Sequence, residues 1–90
     1  MRRVAVVIHG RVQGVFFRKN VYDTALVYGL KGYVKNLPDG AVHAVFEGKD
    51  VAVKKMIAYC QRGPFLAKVK DIKVKEEPYL DEFSGFEIRY

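Results

Sequence analysis

Cysteine is nearly absent from this chain: Cys60 is the only one in 90 residues. A single thiol excludes an internal disulfide and any metal site built on several cysteines. No apolar run approaches the roughly 20 residues that span a bilayer. Met1-Arg2-Arg3 does not lead a signal peptide, because His9-Gly10-Arg11 interrupts the apolar stretch behind it. A cytoplasmic location is the expectation. Histidine, aspartate and glutamate are nowhere clustered as metal ligands, and there is no P-loop lysine signature. Neither a metal nor another cofactor is expected. No linker or internal repeat divides the chain, and its length leaves no room for a second core, so residues 1–90 read as a single domain.

What is present is the composition of a soluble globular protein, 50% hydrophobic and 29% charged. The net charge of +6 suits an anionic ligand. Many of the lysines, however, alternate along one segment, Lys68, Lys70, Lys73 and Lys75, and do not gather at one point. Taken alone, the charge favours a solvated face over nucleic-acid binding.

Val4, Val6 and Ile8 recur at period two within Arg3–His9, which predicts a strand with those three facing the core. A glycine-hinged loop, Gly10–Phe17, follows. The spacing of Val21, Ala25 and Tyr28 predicts a helix from about Arg18 to Tyr28, capped by Gly29. Gly32–Leu37 and Ala41–Glu47 read as strands joined by Pro38-Asp39-Gly40, the chemistry of a tight hairpin. Val53, Met56, Ile57 and Cys60 mark the buried stripe of a second helix over Asp50–Arg62, ended by Gly63-Pro64. Val69–Lys75 is a strand with a bulge near Asp71, and Phe86–Ile88 a short last one. The order is β-α-β-β-α-β plus a short strand. It implies an α+β ferredoxin-like sandwich, an antiparallel sheet with both helices on one face.

Gly10-Arg11-Val12-Gln13-Gly14-Val15-Phe16-Phe17-Arg18 carries the chemistry. The backbone N–H groups of Gln13, Gly14, Val15, Phe16, Phe17 and Arg18 can converge on one anion, and a helix N-terminus adds its positive end. Arg18 supplies a planar, permanent cation suited to bidentate contact with a phosphoryl group. Gly14 is read as a position where a side chain would obstruct closure of the loop. Gln13 helps shape it. Asn36 stands just before the hairpin turn, where its amide can accept a hydrogen bond from water and donate one to a phosphoryl oxygen. Arg11 reads equally as an attractor of the anion and as a solvent-facing side chain.

The stretch Gly10–Arg18 matches G-[RK]-V-Q-G-V-x-[FY]-R, and Gly32–Gly48 matches G-[FYW]-V-x-N-x3-G-x-V-x5-G. Together they closely resemble the paired signatures of the acylphosphatase family. Gly63–Val69 and Phe86–Tyr90 also look like family segments. The resemblance implies a ferredoxin-like fold and hydrolysis of small acyl phosphates to carboxylate and inorganic phosphate, with Arg18 and Asn36 as the catalytic pair. A weakly basic carboxylate leaving group demands no strong base. The expected reaction is therefore direct in-line attack of water on phosphorus, without a covalent intermediate or a metal.

Two other readings use the same residues differently. One is a noncatalytic module on this fold that binds phosphate or a carbamoyl-phosphate-like anion. The other is an RNA-binding domain, for which Tyr33 and Phe46 are the aromatic candidates on the open sheet face, although the RNP-type pattern is absent. His9 and His43 fall off the core phase of their strands and read as structural or solvent-facing. Cys60 reads as an inert core thiol. No membrane partner is expected, and the chain is expected to be a monomer, with Tyr22 and Leu26 as an exposed i, i+4 pair for weak self-association.

Overall fold

The computed structural model describes residues 1–90 as β1 (Arg2–Arg11), α1 (Phe17–Val27), β2 (Lys31–Asn36), β3 (Val42–Gly48), α2 (Asp50–Arg62), β4 (Lys68–Glu77) and β5 (Phe86–Arg89). The strands form one sheet in the order β4-β1-β3-β2-β5. Helix α1 packs on β2 and β5, and α2 on β1, β3 and β4, so both cover the same face. This is the α+β ferredoxin-like sandwich. Val4, Val6 and Ile8 are fully buried beneath the helices with Val21, Ala25, Val53, Met56 and Cys60. Period two on the strand and 3.6 on the helices thus meet in one core. Helix α1 starts and stops one residue earlier than its sequence pattern predicts, because Phe17 already turns inward as its first core residue.

The sheet is mixed, which corrects the expectation of a wholly antiparallel one. β5 pairs in parallel with β2, whereas the other three pairings are antiparallel. Parity explains the difference. Strand β4 runs opposite to β2, and residues 78–85 turn the chain back before it reaches the far edge, so β5 must run with β2. That crossing is fastened to the open face by Glu47, a carboxylate only 1% exposed. The backbone N–H groups of Leu80 and Asp81 each donate to Glu47 Oε2 at 3.2 Å. Arg3 lies 3.6 Å from the same oxygen and also pairs with Glu77 and Glu82. Its guanidinium sits 5.0 Å from the Phe83 ring centre. Oε2 of the buried carboxylate thus meets several donors, while Oε1 is buried with no hydrogen-bond partner in the protein.

Two surface expectations also change. Phe46 is fully buried in the core, because Val4 and Gly32 oppose it on the helix-covered side of the sheet. Only Tyr33 of the two aromatics stands on the open face, and there Arg89 stacks on it at 3.8 Å, leaving no free base-stacking platform. Tyr22 packs against Phe86 with ring centres 6.3 Å apart, so Leu26, 49% exposed, lacks its expected exposed neighbour. No helix is long and apolar enough to cross a membrane.

The expected bulge lies where the register shifts between His9/Asp71 and Gly10/Val69, leaving Lys70 as the extra residue. It bends the end of β1 into the loop that precedes α1. Gly10 has φ +135°, and a Cβ there would lie 2.1 Å from the Lys68 carbonyl oxygen. A side chain cannot be accommodated without moving backbone. Gly10→Ala should lower unfolding stability in urea by about 3 kcal/mol or more. Wild-type stability in that variant would contradict the bulge geometry.

Candidate active site

The loop between β1 and α1 alternates between anchors and open positions. Val12, Val15 and Phe17 are buried in the core, while Gly14 and Phe16 are exposed. Gln13 works sideways. Its Nε2 donates to the carbonyl oxygens of Leu37 at 3.0 Å and Ala41 at 2.9 Å, the two residues that open and close the β2–β3 hairpin. One amide thus ties the loop to the strand end that carries Asn36. Gly14 has φ +74°, and a Cβ there would meet no protein atom within 4 Å. Within the protein itself, backbone conformation rather than crowding is what calls for glycine at that position.

The loop delivers its donors to the start of α1. No side chain caps this helix, and its first turn holds no acidic residue. Its leading N–H groups and its positive dipole end are therefore available to an anion. Arg18, the second residue of α1, donates from Nη1 to the Arg89 carbonyl at 3.2 Å, and its guanidinium lies 4.7 Å from the Tyr90 ring centre. A carbonyl and an aromatic face hold the fork in place without a carboxylate neutralising it. Asn36 is the last residue of β2, and its Oδ1 is buried with no hydrogen-bond donor from the protein. A buried amide oxygen left unpaired is costly unless a ligand or water meets it.

These groups border one cavity of about 320 Å³. Gln13, Gly14, Phe16, Phe17, Arg18 and Asn36 line it, and Val15 alone of the expected site residues does not, its side chain being committed to the core. Arg11 is absent from the cavity wall. So are both histidines: His9 Nδ1 lies 3.1 Å from Asp71, and His43 packs edge-on against Tyr33. Burial, with help from Lys35, holds the His43 pKa below its usual value. Burial likewise pushes the Cys60 thiol up to about 12, an unreactive state. Sequence reasoning gave no role to Lys19, Ile88 or Tyr90, which together with Val12 complete the wall. The only signal for Ile88 and Tyr90 was the terminal segment Phe86–Tyr90 as a recognisable unit.

The chain is similar to known proteins along nearly its whole length. The acylphosphatase family model matches residues 4–88. An acylphosphatase of Aeropyrum pernix is 52% identical over 98% of this chain and 88% of that protein. One from Rubrobacter xylanophilus is 48% identical over 98% of this chain and 80% of its own length. The crystal structure of acylphosphatase from Bacillus subtilis superposes with a TM-score of 0.95 at 37% identity, covering 100% of both chains.

The Gln13 tie makes a direct prediction. Gln13→Ala removes two hydrogen bonds, although Leu37 O still accepts from Gly40 N–H and Ala41 O from Leu37 N–H, and should reduce unfolding stability by about 1–3 kcal/mol. Urea denaturation checks it; an unchanged midpoint would mean the amide does not hold loop and hairpin together.

Proposed function

The chain belongs to the acylphosphatase family, and from that premise we propose that it hydrolyses small acyl phosphates by in-line attack of water on phosphorus, without a metal. The observation that carries this reading is the pairing of two unmet demands at one cavity: the uncompensated Arg18 cation and the unpaired, buried Asn36 oxygen. An anion answers the first and a water the second.

The loop N–H groups from Gln13 to Arg18 and the Arg18 fork bind the nonbridging oxygens, where they offset charge as the transition state develops. Asn36 Oδ1 accepts a hydrogen bond from the attacking water, and its amide N–H group donates to a phosphoryl oxygen. Water oxygen bonds to phosphorus as the bond from phosphorus to the acyl oxygen breaks, and that electron pair leaves on the carboxylate. A phosphoryl oxygen of the substrate takes the water proton. Asn36 thus orients and does not deprotonate, and the catalysis is positioning with electrostatic stabilisation. The absence of a histidine from the cavity wall is consistent with chemistry that needs no protein base.

Benzoyl phosphate hydrolysis in the presence of chelator tests the reading. Wild type should turn over, and Arg18→Ala and Asn36→Ala should each lose about 10²–10³ in rate. A folded wild type without turnover would replace hydrolysis by phosphate binding alone. Activity that vanishes with chelator and returns with a divalent cation would overturn the metal-free mechanism.

A further inference from the structure

The sheet register gathers bases that the sequence scatters. On the face away from the helices, Lys35 lies opposite His43, His43 opposite Val7, and Val7 opposite Lys73, one transverse row across four strands. Three inter-strand steps of about 4.8 Å set Lys35 about 14 Å from Lys73 at the backbone. Lys75 stands on the same face two residues along β4, and Arg11 pairs with Lys68 where β1 leaves the sheet.

Acids do not balance this region. Asp71 is held by His9 at 3.1 Å and Glu87 by Arg89 at 2.6 Å. None of the protein's ion pairs involves Arg11, Lys35, Lys68, Lys73 or Lys75. The other carboxylates of the face collect at its far end, where Glu47, Glu77 and Glu82 meet Arg3, and Asp81 meets Lys31. Residues 78–85 cross that balanced half and leave the basic half open.

The arrangement works against stability. Like charges directly opposite in a ladder repel, yet Arg11 faces Lys68, and Lys35 faces His43. Neither the core nor the phosphoryl cavity uses any of these five cations. Val7 and His43, which stand between Lys35 and Lys73, are only partly exposed. The basic half thus offers separated point charges and no exposed apolar side chain for a protein partner to grip.

We propose that this basic half of the open sheet face binds the phosphate backbone of a nucleic-acid strand without reading its bases. A chain of regularly spaced negative charges meets several separated ammonium groups at once, which one small anion cannot do. Neutralising its phosphates releases condensed counterions, so binding is driven by charge and is steeply salt-dependent. The Arg89 guanidinium over Tyr33 removes the aromatic platform on which a sheet stacks bases. The face lies outside the cavity, so a strand and a phosphoryl group are not competitors.

The test is fluorescence anisotropy with a labelled, mixed-sequence DNA strand of about 20 nucleotides, longer than a typical single-strand site. Engagement of about four cations at about −0.7 each predicts affinity falling about fiftyfold between about 50 and 200 mM salt. Lys35→Glu combined with Lys73→Glu should weaken binding about tenfold at the lower salt. Lys49→Glu combined with Lys55→Glu changes the net charge equally but lies off this face, and should weaken it less than about threefold. Thermal melting verifies that both double variants fold. Inorganic phosphate at matched ionic strength should leave the affinity unchanged. Absence of binding at low salt, or equal loss in the two double variants, would overturn the proposal. So would displacement by phosphate, which would assign the strand to the cavity, or competition by polyglutamate as effective as by unlabelled DNA, which would make the partner an acidic polypeptide.

Discussion

Three buried side chains, Val12, Val15 and Phe17, fasten the loop between β1 and α1 to the hydrophobic core, and the site exists because they do. A loop of five residues cannot face a ligand with its backbone donors unless something holds its other side. Core burial supplies the downward hold, and the bulge at Gly10 sets the angle of entry. The Gln13 amide supplies the lateral hold, by reaching across to both ends of the hairpin turn. Loop, helix start and Asn36 thereby become one rigid arrangement, which is what preorganised electrostatic stabilisation needs.

The second constraint is charge left uncancelled. Most basic side chains near acids in this protein find them: Arg2 with Glu76 and Asp50, Arg3 with Glu77 and Glu82, Lys19 with Asp23. Arg18 instead meets a backbone carbonyl and a tyrosine ring. Both orient a guanidinium without neutralising it. The helix adds to this, since neither a capping side chain nor an acidic residue blunts its N-terminus. Positive potential is concentrated at one point, whereas the lysines along β4 spread theirs over an exposed edge strand, where such charges also discourage edge pairing.

Much of this was legible in the sequence because periodicity and local chemistry determine it. The alternation in β1, the stripe of α2, whose bounds at Asp50–Arg62 match the expectation, and the bulge beside Asp71 all follow from nearest-neighbour preferences. That the β1–α1 loop and Asn36 border one cavity agrees with their being singled out by restrictive residue types and spacing. Elements that depend on chain crossings were not legible. The parallel pairing of β5 follows from the route of residues 78–85, and nothing local in Phe86–Arg89 encodes direction. The burial of Glu47 beneath that crossing, and the placement of Phe46 inward, required knowledge of which face the strap covers. Tyr90 joined the site through the same route, brought beside Arg18 by the edge position of β5.

The central claim is that the loop and Asn36 form a built site for a phosphoryl group. Titration of inorganic phosphate into ¹⁵N-labelled protein, followed by amide chemical shifts, tests it most directly. The account predicts saturable shifts concentrated at the backbone amides of residues 13–18 and at the side-chain amide of Asn36, weakened strongly in Arg18→Ala. Shifts spread over Lys68–Lys75, suppressed by moderate salt and indifferent to Arg18, would contradict it and reduce the basic charge to a diffuse attraction.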